Sequence, residues 1–206
     1  MTSNRGKLVE AQHRFSPLGY DVRALIINGE PPQVDEPQCD SLEQVADSKM
    51  EQGRRILQNL GRSSEALIVE DSGLFIETLG GFPGVYSAYV LDTVGCEGIL
   101  RLMDAVDDRG AAFRAAACLW DGERVHTASG GCPGVLADAI RGSHGFGFDP
   151  IFIPHDLDES GQPLQDGSAG ASSTGGLTFG EVDLSVKEGF SHRRRALDGL
   201  LDSLSG

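Results

Sequence analysis

A hairpin signal in the middle of the chain constrains the fold more than any other feature. Two strand-like segments, AAFRAAACLW and ERVHTASG, are separated by Asp121-Gly122. Asp-Gly favours the tight turns whose twist matches two antiparallel strands. Strand-like and helix-like segments also alternate along the rest of the chain, which is typical of α/β proteins. The sequence therefore predicts an α/β fold with a mixed β-sheet.

Local signals place further helices and strands around this hairpin. KLVEAQHRF can begin a helix, and DVRALII (21–27) is typical of a strand. The S-x-x-Q pattern that starts at Ser41 is a capping box and predicts a helix that extends to about residue 60. ALIVED, SGLFIETL and GFGFDPIFIP contain strand-like segments. A second capping-box pattern starts at Thr178, and Ser191 can cap a last helix with one apolar face.

Length and composition indicate a globular chain. With 206 residues, 39% of them hydrophobic, the protein can bury a core as a single domain over residues 1–206. The segment 155–176 is rich in Gly, Ser, Ala and Asp, and we expect it to be a flexible insertion. The four cysteines form no C-x-x-C pair, so neither a zinc ribbon nor a dithiol redox motif is indicated.

The charge of the chain limits its partners. A formal net charge of −14 argues against nucleic-acid binding, because the phosphates would be repelled. No apolar segment is long enough to span a bilayer, so we expect a cytoplasmic protein without a membrane partner. Only three lysines occur in this acidic chain, which is typical of a salt-adapted surface. Activity that peaks at low salt, with folding intact, would contradict that interpretation.

Four polar stretches lie beside turns, where chemistry can occur. Residues 2–7 (TSNRGK) could bind an anion at a helix start, although these residues alone favour an ordinary helix cap with an exposed lysine. Glu36 and the pair Glu70-Asp71 supply carboxylates of the kind that Mg²⁺ prefers. In so acidic a chain, such carboxylates can also be solvated surface.

A basic stretch contrasts with the acidic remainder of the chain. Lys187 and residues 191–195 (SHRRR) stand near the start of the last helix, where the helix dipole disfavours cations. A counter-ion patch for the acidic surface is one interpretation, and a phosphate ester held between carboxylates and cations is the other. Phe146, on a glycine-flanked turn, could stack on a flat base, whereas Phe148 is more typical of a core residue.

Five motifs together resemble one family. TSNRGK, DEPQ, VEDSGLFIETLGGFPGVYSAYV, GFGFDPIFIP and SHRRRAL are similar to the motifs of the inosine triphosphate pyrophosphatases, also called XTP/dITP diphosphatases. They follow the family's order and span nearly the whole chain outside 155–176. The central motif is most similar to that of archaeal members.

The resemblance implies a fold and an activity. The fold is an elongated central mixed β-sheet flanked by helices that form two lobes around a substrate cleft, in a chain that forms a homodimer. The activity is Mg²⁺-dependent hydrolysis of deaminated purine nucleotides (ITP, dITP, XTP) to the monophosphate and pyrophosphate, which cleanses the nucleotide pool.

The resemblance also implies residue roles. Glu36 and Asp71 match the metal-binding carboxylates, with Asp71 as the catalytic general base, and Glu70 matches an acidic position beside the site. Ser72 matches a family Ser/Thr at the substrate site whose role is structural. The remaining matches bind substrate. Thr2, Asn4 and Lys7 match the triphosphate turn, and Lys49 and Lys187 match lysines that approach phosphates. Phe146 and Asp149 match the loop that holds base and sugar, and His192 and Arg193 match the pair that reads the purine 6-keto edge.

Two other functions stay open at this stage, and one departure from the family is evident. A metal-dependent phosphomonoesterase would use the same carboxylates but gives no reason for Phe146 or the His192-Arg193 pair. A non-catalytic purine nucleotide-binding module is the other alternative. Family members have a hydrophobic strand before the TSN turn, whereas only Met1 precedes it here, so we expect the native chain to begin further upstream.

Overall fold

The structure, a computed structural model, describes residues 5–165 and 167–204. Within these residues it contains six α-helices, several short 3-10 turns and one four-stranded sheet. The helices are α1 (Arg5–Phe15), α2 (Leu42–Asn59), α3 (Ser87–Thr93), α4 (Gly95–Leu102), α5 (Leu184–Phe190) and α6 (His192–Leu204). The strands are β1 (Leu67–Ile76), β2 (Gly110–Trp120), β3 (Val125–Leu136) and β4 (Phe152–Pro154). The predicted α/β class is confirmed.

The sheet follows the order of the chain, β1-β2-β3-β4. The predicted hairpin is β2 and β3, joined at Asp121-Gly122, where Gly122 has a φ of 106°. Strand β4 pairs antiparallel with the end of β3, with Val135 opposite Ile153. Each strand thus pairs with the one that precedes it in the chain.

Two predictions of local structure are wrong in instructive ways. Residues 21–26 form no strand, because no neighbouring strand in the described part of the chain pairs with them, and Ile27 takes part only in an isolated bridge with Glu30. The pattern at Thr178 forms its side-chain contact, since Glu181 accepts the Thr178 N–H at 2.9 Å, but α5 begins six residues later. The true cap of α5 is Asp183, whose side chain accepts the N–H of Val186.

The chain divides into two compact units. The first comprises residues 1–72, 115–130 and 193–206. Its core packs α1 and α6 with β2, and the predicted apolar face of α6 supplies Ala196, Leu197 and Leu200 to it. Trp120 also belongs to this unit: its indole N–H donates to the Ser63 carbonyl at 3.2 Å, and the Arg54 guanidinium lies 3.9 Å from the ring centroid.

The second unit comprises residues 73–114 and 131–192, and aromatic rings fill its core. Phe148, predicted as a core residue, is buried there with Phe113, Phe152, Phe179 and Phe190.

The segment 155–176 belongs to the second unit and forms hydrogen bonds within itself. Leu157 is buried and exchanges backbone hydrogen bonds with Ser172. The flexibility of this segment and the folding of the whole chain as one domain remain predictions. Among the described helices, none has the length and hydropathy needed to cross a membrane.

Candidate active site

In the first unit the Lys49 ammonium group lies between two carboxylates. Its Nζ atom is 2.7 Å from Glu36 Oε1 and 2.7 Å from Asp71 Oδ1. Asp71 follows Val69 by two residues on β1, so strand alternation turns both side chains to the buried face. The Asp71 side chain is 11% exposed, whereas that of Glu36 is 58% exposed. We call these three predicted residues the Lys49 cluster.

Burial and neighbouring charges shift the pKa values in this cluster. Burial raises the pKa of Asp71, and the cations Lys49 and Lys7 offset that effect only in part, while Glu70 adds to it. Burial alone would lower the pKa of Lys49, but Asp71 and Glu36 outweigh it, so that this pKa is raised. Asp71 is therefore more basic than an ordinary aspartate, and it lies beside a permanent cation.

The oxygen donors of the Lys49 cluster suit a hard cation. Two carboxylates already converge on one positive charge, and Mg²⁺ sites commonly use one or two carboxylates together with waters and substrate phosphates. Over residues 5–165 and 167–204, no three His, Cys, Asp or Glu side chains converge to hold a metal by themselves. The residues present thus fit Mg²⁺ that is coordinated by these carboxylates together with waters and the phosphate oxygens of a substrate.

A second set of charges in the same unit centres on Arg193, and we call it the Arg193 network. Its guanidinium donates to Glu10 Oε1 at 2.9 Å and to Ser72 Oγ at 3.0 Å, and lies 3.2 Å from Glu70 Oε1. Lys7 Nζ is 2.8 Å from Glu70 Oε2. Lys7, Glu70 and Arg193 also line a cavity of about 550 Å³ within this unit. The network brings together three predicted residues, Lys7, Ser72 and Arg193.

The charges of this network balance in a buried setting. The Arg193 side chain is 3% exposed, and those of Glu10 and Glu70 are 6% and 7% exposed. Burial alone would lower the pKa of Arg193, but Glu70 and Glu10 keep it raised. Sequence reasoning missed Glu10. Its spacing from Lys7 could have revealed it, because residues three positions apart lie on the same face of a helix.

In the second unit Lys187 pairs with Asp149 in the interior. Lys187 Nζ is 2.6 Å from Asp149 Oδ2, and the two side chains are 5% and 3% exposed. Asp149 Oδ2 also accepts the Phe146 N–H at 2.7 Å, which closes the turn. Gly145 is required there, because its φ is 73° and an added Cβ would stand 2.0 Å from Asp149 Oδ2.

The same turn presents the Phe146 ring. This side chain is partly exposed, at 37%, and Lys187 Nζ lies 4.5 Å from its centroid. An aromatic face can stack on a base, and a cation beside it can neutralise a phosphate. The structure therefore brings together Phe146, Asp149 and Lys187, three residues whose role in binding substrate stays a prediction.

His192, also in the second unit, lies against an aromatic ring that sequence reasoning did not single out. Its imidazole stacks on Phe113 with a centroid distance of 5.0 Å and an interplanar angle of 12°. No local pattern signals this pair, because Phe113 is one apolar residue among many in β2. Of the remaining predicted residues, Thr2 and Asn4 lie outside the described part of the chain.

The fold and these groups define an α/β protein with buried pairs of carboxylates and cations in each unit. The Ham1 family model matches residues 1–203, and the chain belongs to the Ham1 family.

Similar proteins support the same assignment. A dITP/XTP pyrophosphatase of Thermococcus kodakarensis is 42% identical over 197 residues, which cover 96% of this chain and 91% of the relative. A dITP/XTP pyrophosphatase of Pyrococcus horikoshii is 35% identical, with 99% and 94% covered.

Solved structures agree with the fold. A HAM1 protein from Coxiella burnetii has a TM-score of 0.70 at 25% identity, covering 99% of this chain and 95% of that one. A nucleoside-triphosphatase, or dITP/XTP pyrophosphatase, from Mycobacterium abscessus has a TM-score of 0.66 at 28% identity, with 98% and 96% covered.

Proposed function

We propose that this protein hydrolyses the deaminated purine nucleotides dITP, XTP and ITP to the nucleoside monophosphate and pyrophosphate. Membership of the Ham1 family and near full-length similarity to dITP/XTP pyrophosphatases support the activity. The structural observation that carries it is the Lys49 cluster, in which a buried aspartate with a raised pKa lies beside a cation.

Asp71 acts as the general base in this proposal. Its carboxylate orients a water molecule and takes its proton while the water attacks the α-phosphorus in line with the leaving pyrophosphate. Burial favours this role, because it raises the pKa of Asp71 towards the working pH of the enzyme. Lys49, 2.7 Å away, holds the carboxylate in a single orientation.

Mg²⁺ is the proposed cofactor, with Glu36 and Asp71 as its protein ligands. When bound, it would neutralise negative charge on the phosphate oxygens. The exposed Glu36 side chain can turn towards an incoming ion, whereas Asp71 is fixed by its place on β1.

Cations of the chain bind the phosphates in this proposal. Lys7, Lys49 and Lys187 offset the charge that builds on the leaving pyrophosphate. Thr2 and Asn4, which precede α1 in the sequence, are proposed to bind the triphosphate together with Lys7. Glu70 keeps Lys7 in place through their ion pair, and Ser72 has the structural role of fixing Arg193.

Four of the predicted residues act on the nucleoside in this proposal. Phe146 stacks on the base, and Asp149 fixes the loop that carries Phe146. His192 and Arg193 donate hydrogen bonds to the oxygen at position 6 of the purine, and a guanidinium has enough N–H groups to hold carboxylates and donate to a base at once. Adenine presents an amino group at that position, and leaving a buried donor unmatched costs about 1–3 kcal/mol.

We further propose that the protein is a cytoplasmic homodimer. Several large apolar side chains of the second unit are exposed within a short stretch, namely Phe82, Tyr86, Tyr89 and Val94. Large apolar side chains exposed together are typical of a protein–protein interface, and the closeness of these residues in the sequence supports the proposal. Light scattering that gives the mass of one chain at micromolar concentration would contradict the dimer.

The activity is tested with a panel of nucleoside triphosphates. We expect pyrophosphate release from dITP, XTP and ITP in the presence of Mg²⁺, and a loss of about 10³-fold in Asp71→Asn. Asp47→Asn is the matched control, because Asp47 is an exposed aspartate of the same unit whose carboxylate accepts a hydrogen bond from the Cys118 thiol. Release of orthophosphate would favour a phosphomonoesterase, and binding of dITP without turnover a non-catalytic module. Wild-type rates in Asp71→Asn would refute the mechanism.

A further inference from the structure

The imidazole of His192 has a defined neighbour that sets its plane. The ring lies nearly parallel to that of Phe113, with centroids 5.0 Å apart and planes inclined by 12°. Both residues belong to the second unit, and both are buried, at 4% and 8% exposed. A flat ring packed on a second flat ring cannot rotate about its terminal side-chain bond without losing the contact.

Phe113 is itself held in place by two fully buried rings. Phe152 meets it edge-on, with centroids 4.6 Å apart and an angle of 61°. Phe179 lies nearly parallel to it, with centroids 6.2 Å apart and an angle of 16°. Close-packed interiors allow such rings few alternative rotamers. Phe179, Phe113 and His192 therefore form a series of nearly parallel rings, which we call the aromatic stack.

We propose that Phe113 is a positioning residue for base recognition: it fixes the plane of the His192 imidazole, and thereby the direction in which that ring donates to the purine. This inference rests on the proposed function, because it takes His192 as a residue that reads the base. Phe113 itself touches no substrate. It acts through His192 alone, and its removal lowers selectivity more than it lowers turnover of the preferred nucleotide.

The direction of a hydrogen bond explains this expectation. Hydrogen bonds weaken steeply when the donor turns away from the acceptor, so a freely rotating imidazole discriminates poorly between a keto oxygen and an amino group. Loss of the stack should reduce the ratio of kcat/KM for dITP to that for dATP about three- to tenfold. Turnover of dITP at saturation should stay within about twofold of the wild type, since the Lys49 cluster is unchanged.

Three variants separate positioning from simple core packing. Phe113→Leu removes the ring but keeps an apolar side chain, and Phe113→Tyr keeps the ring. Phe152→Leu is the matched control, because it removes a core ring that contacts Phe113 edge-on and is not stacked on His192. We expect Phe113→Leu and Phe152→Leu both to lower thermal stability, whereas only Phe113→Leu should lower the selectivity ratio. Phe113→Tyr should keep it.

A spectroscopic measurement tests the stack without relying on activity. In histidine-labelled protein, the ring protons of His192 should be shifted upfield by the Phe113 ring, with His192→Asn providing the assignment. Phe113→Leu should abolish that shift, and Phe152→Leu should retain it. Unchanged selectivity in Phe113→Leu, or an equal loss in Phe152→Leu, would overturn the proposal. If the wild-type protein releases no pyrophosphate, the proposed function fails and with it the base-reading role, while the proton shift still decides whether Phe113 orients the ring.

Discussion

Lys49 and Lys187 each have a carboxylate partner, yet the two units hold them differently. Lys49 bridges Asp71 and Glu36, and the latter side chain is 58% exposed. Lys187 has the nearly inaccessible Asp149 as its ion partner and lies over the rings of Phe146 and Phe179. The first lysine is thus placed among charges that reach water, and the second among rings in the interior.

This difference predicts that one lysine matters mainly for activity and the other also for stability. A cation near water can exchange partners at modest cost, so its loss is felt mainly where a particular charge is needed for chemistry. A buried ion pair is different, because removing one partner leaves the other charge without compensation in the interior. We therefore expect the Lys49 cluster to govern activity and the Lys187–Asp149 pair to govern stability as well. The following predictions test that division.

The largest effect is expected for Lys187→Met. It leaves the Asp149 carboxylate buried without its cation, and the free energy of unfolding should fall by about 3–5 kcal/mol. Denaturant titration at neutral pH measures the loss. Lys187→Met combined with Asp149→Asn should recover about half of it, because no net charge remains buried and the amide oxygen can still accept the Phe146 N–H. A Lys187→Met protein as stable as the wild type would contradict the expectation that the Lys187–Asp149 pair governs stability.

A smaller effect, mainly on activity, is expected for Lys49→Met. Without the ammonium group, Asp71 loses its orienting partner and the phosphates lose a cation, so kcat/KM for dITP should fall about 10²-fold. Stability should fall by less than in Lys187→Met, because Glu36 can turn to solvent and Lys7 still compensates part of the Asp71 charge. Arg55→Met on the same helix, which breaks an exposed pair with Glu51, is the control and should leave kcat/KM within about twofold. Equal losses in the two variants would show that the cluster has no special role.

The smallest effect is a displacement of the pH profile. Catalysis needs the Asp71 carboxylate, and the pKa of this group is raised by burial, so the acid limb of kcat/KM should have its midpoint above the ordinary aspartate value of about 3.9. Lys49→Met removes a cation that lowers this pKa, and the midpoint should move to still higher pH. A midpoint that stays fixed in Lys49→Met would show that Asp71 is not the titrating group.

The stability contribution of Asp71 depends on pH in the opposite direction from that of most carboxylates. Because its folded-state pKa is raised, Asp71 contributes stability below the pKa that it has in the unfolded chain. That contribution is lost as the pH rises through the folded-state pKa. Asp121 behaves as an ordinary case: hydrogen bonds from the Arg124 backbone and from His126 lower its pKa, so its contribution is lost as the pH falls.

Much of the fold could be predicted from local chemistry. The cap formed by Ser41 with the Gln44 N–H and the Asp121-Gly122 turn each act over a few residues, so the sequence alone reveals them. Pairing partners are not local. Residues 21–27 have the composition of a strand, but a strand exists only when another strand lies beside it, and that could not be deduced from the segment itself.

The site shows the same limit. The family resemblance predicted Glu36 and Asp71 as metal ligands and Lys49 as a lysine near the phosphates. The structure places these three side chains in contact, and their roles stay predictions. Which cation each carboxylate meets depends on tertiary packing, and so does the stacking of His192 on Phe113, which joins β2 to the start of α6. A single phenylalanine in an apolar strand carries no sign of such a role.

The position of Trp120 has a practical consequence for anyone who follows the unfolding of this protein. It is the sole tryptophan of the chain, and its indole is fixed by Ser63 and Arg54 of the first unit. Its fluorescence therefore monitors only one half of the molecule, whereas far-ultraviolet circular dichroism averages over both. If the melting curves from the two signals superimpose, the two units unfold in one cooperative transition. If the curves separate, the two units unfold at different temperatures.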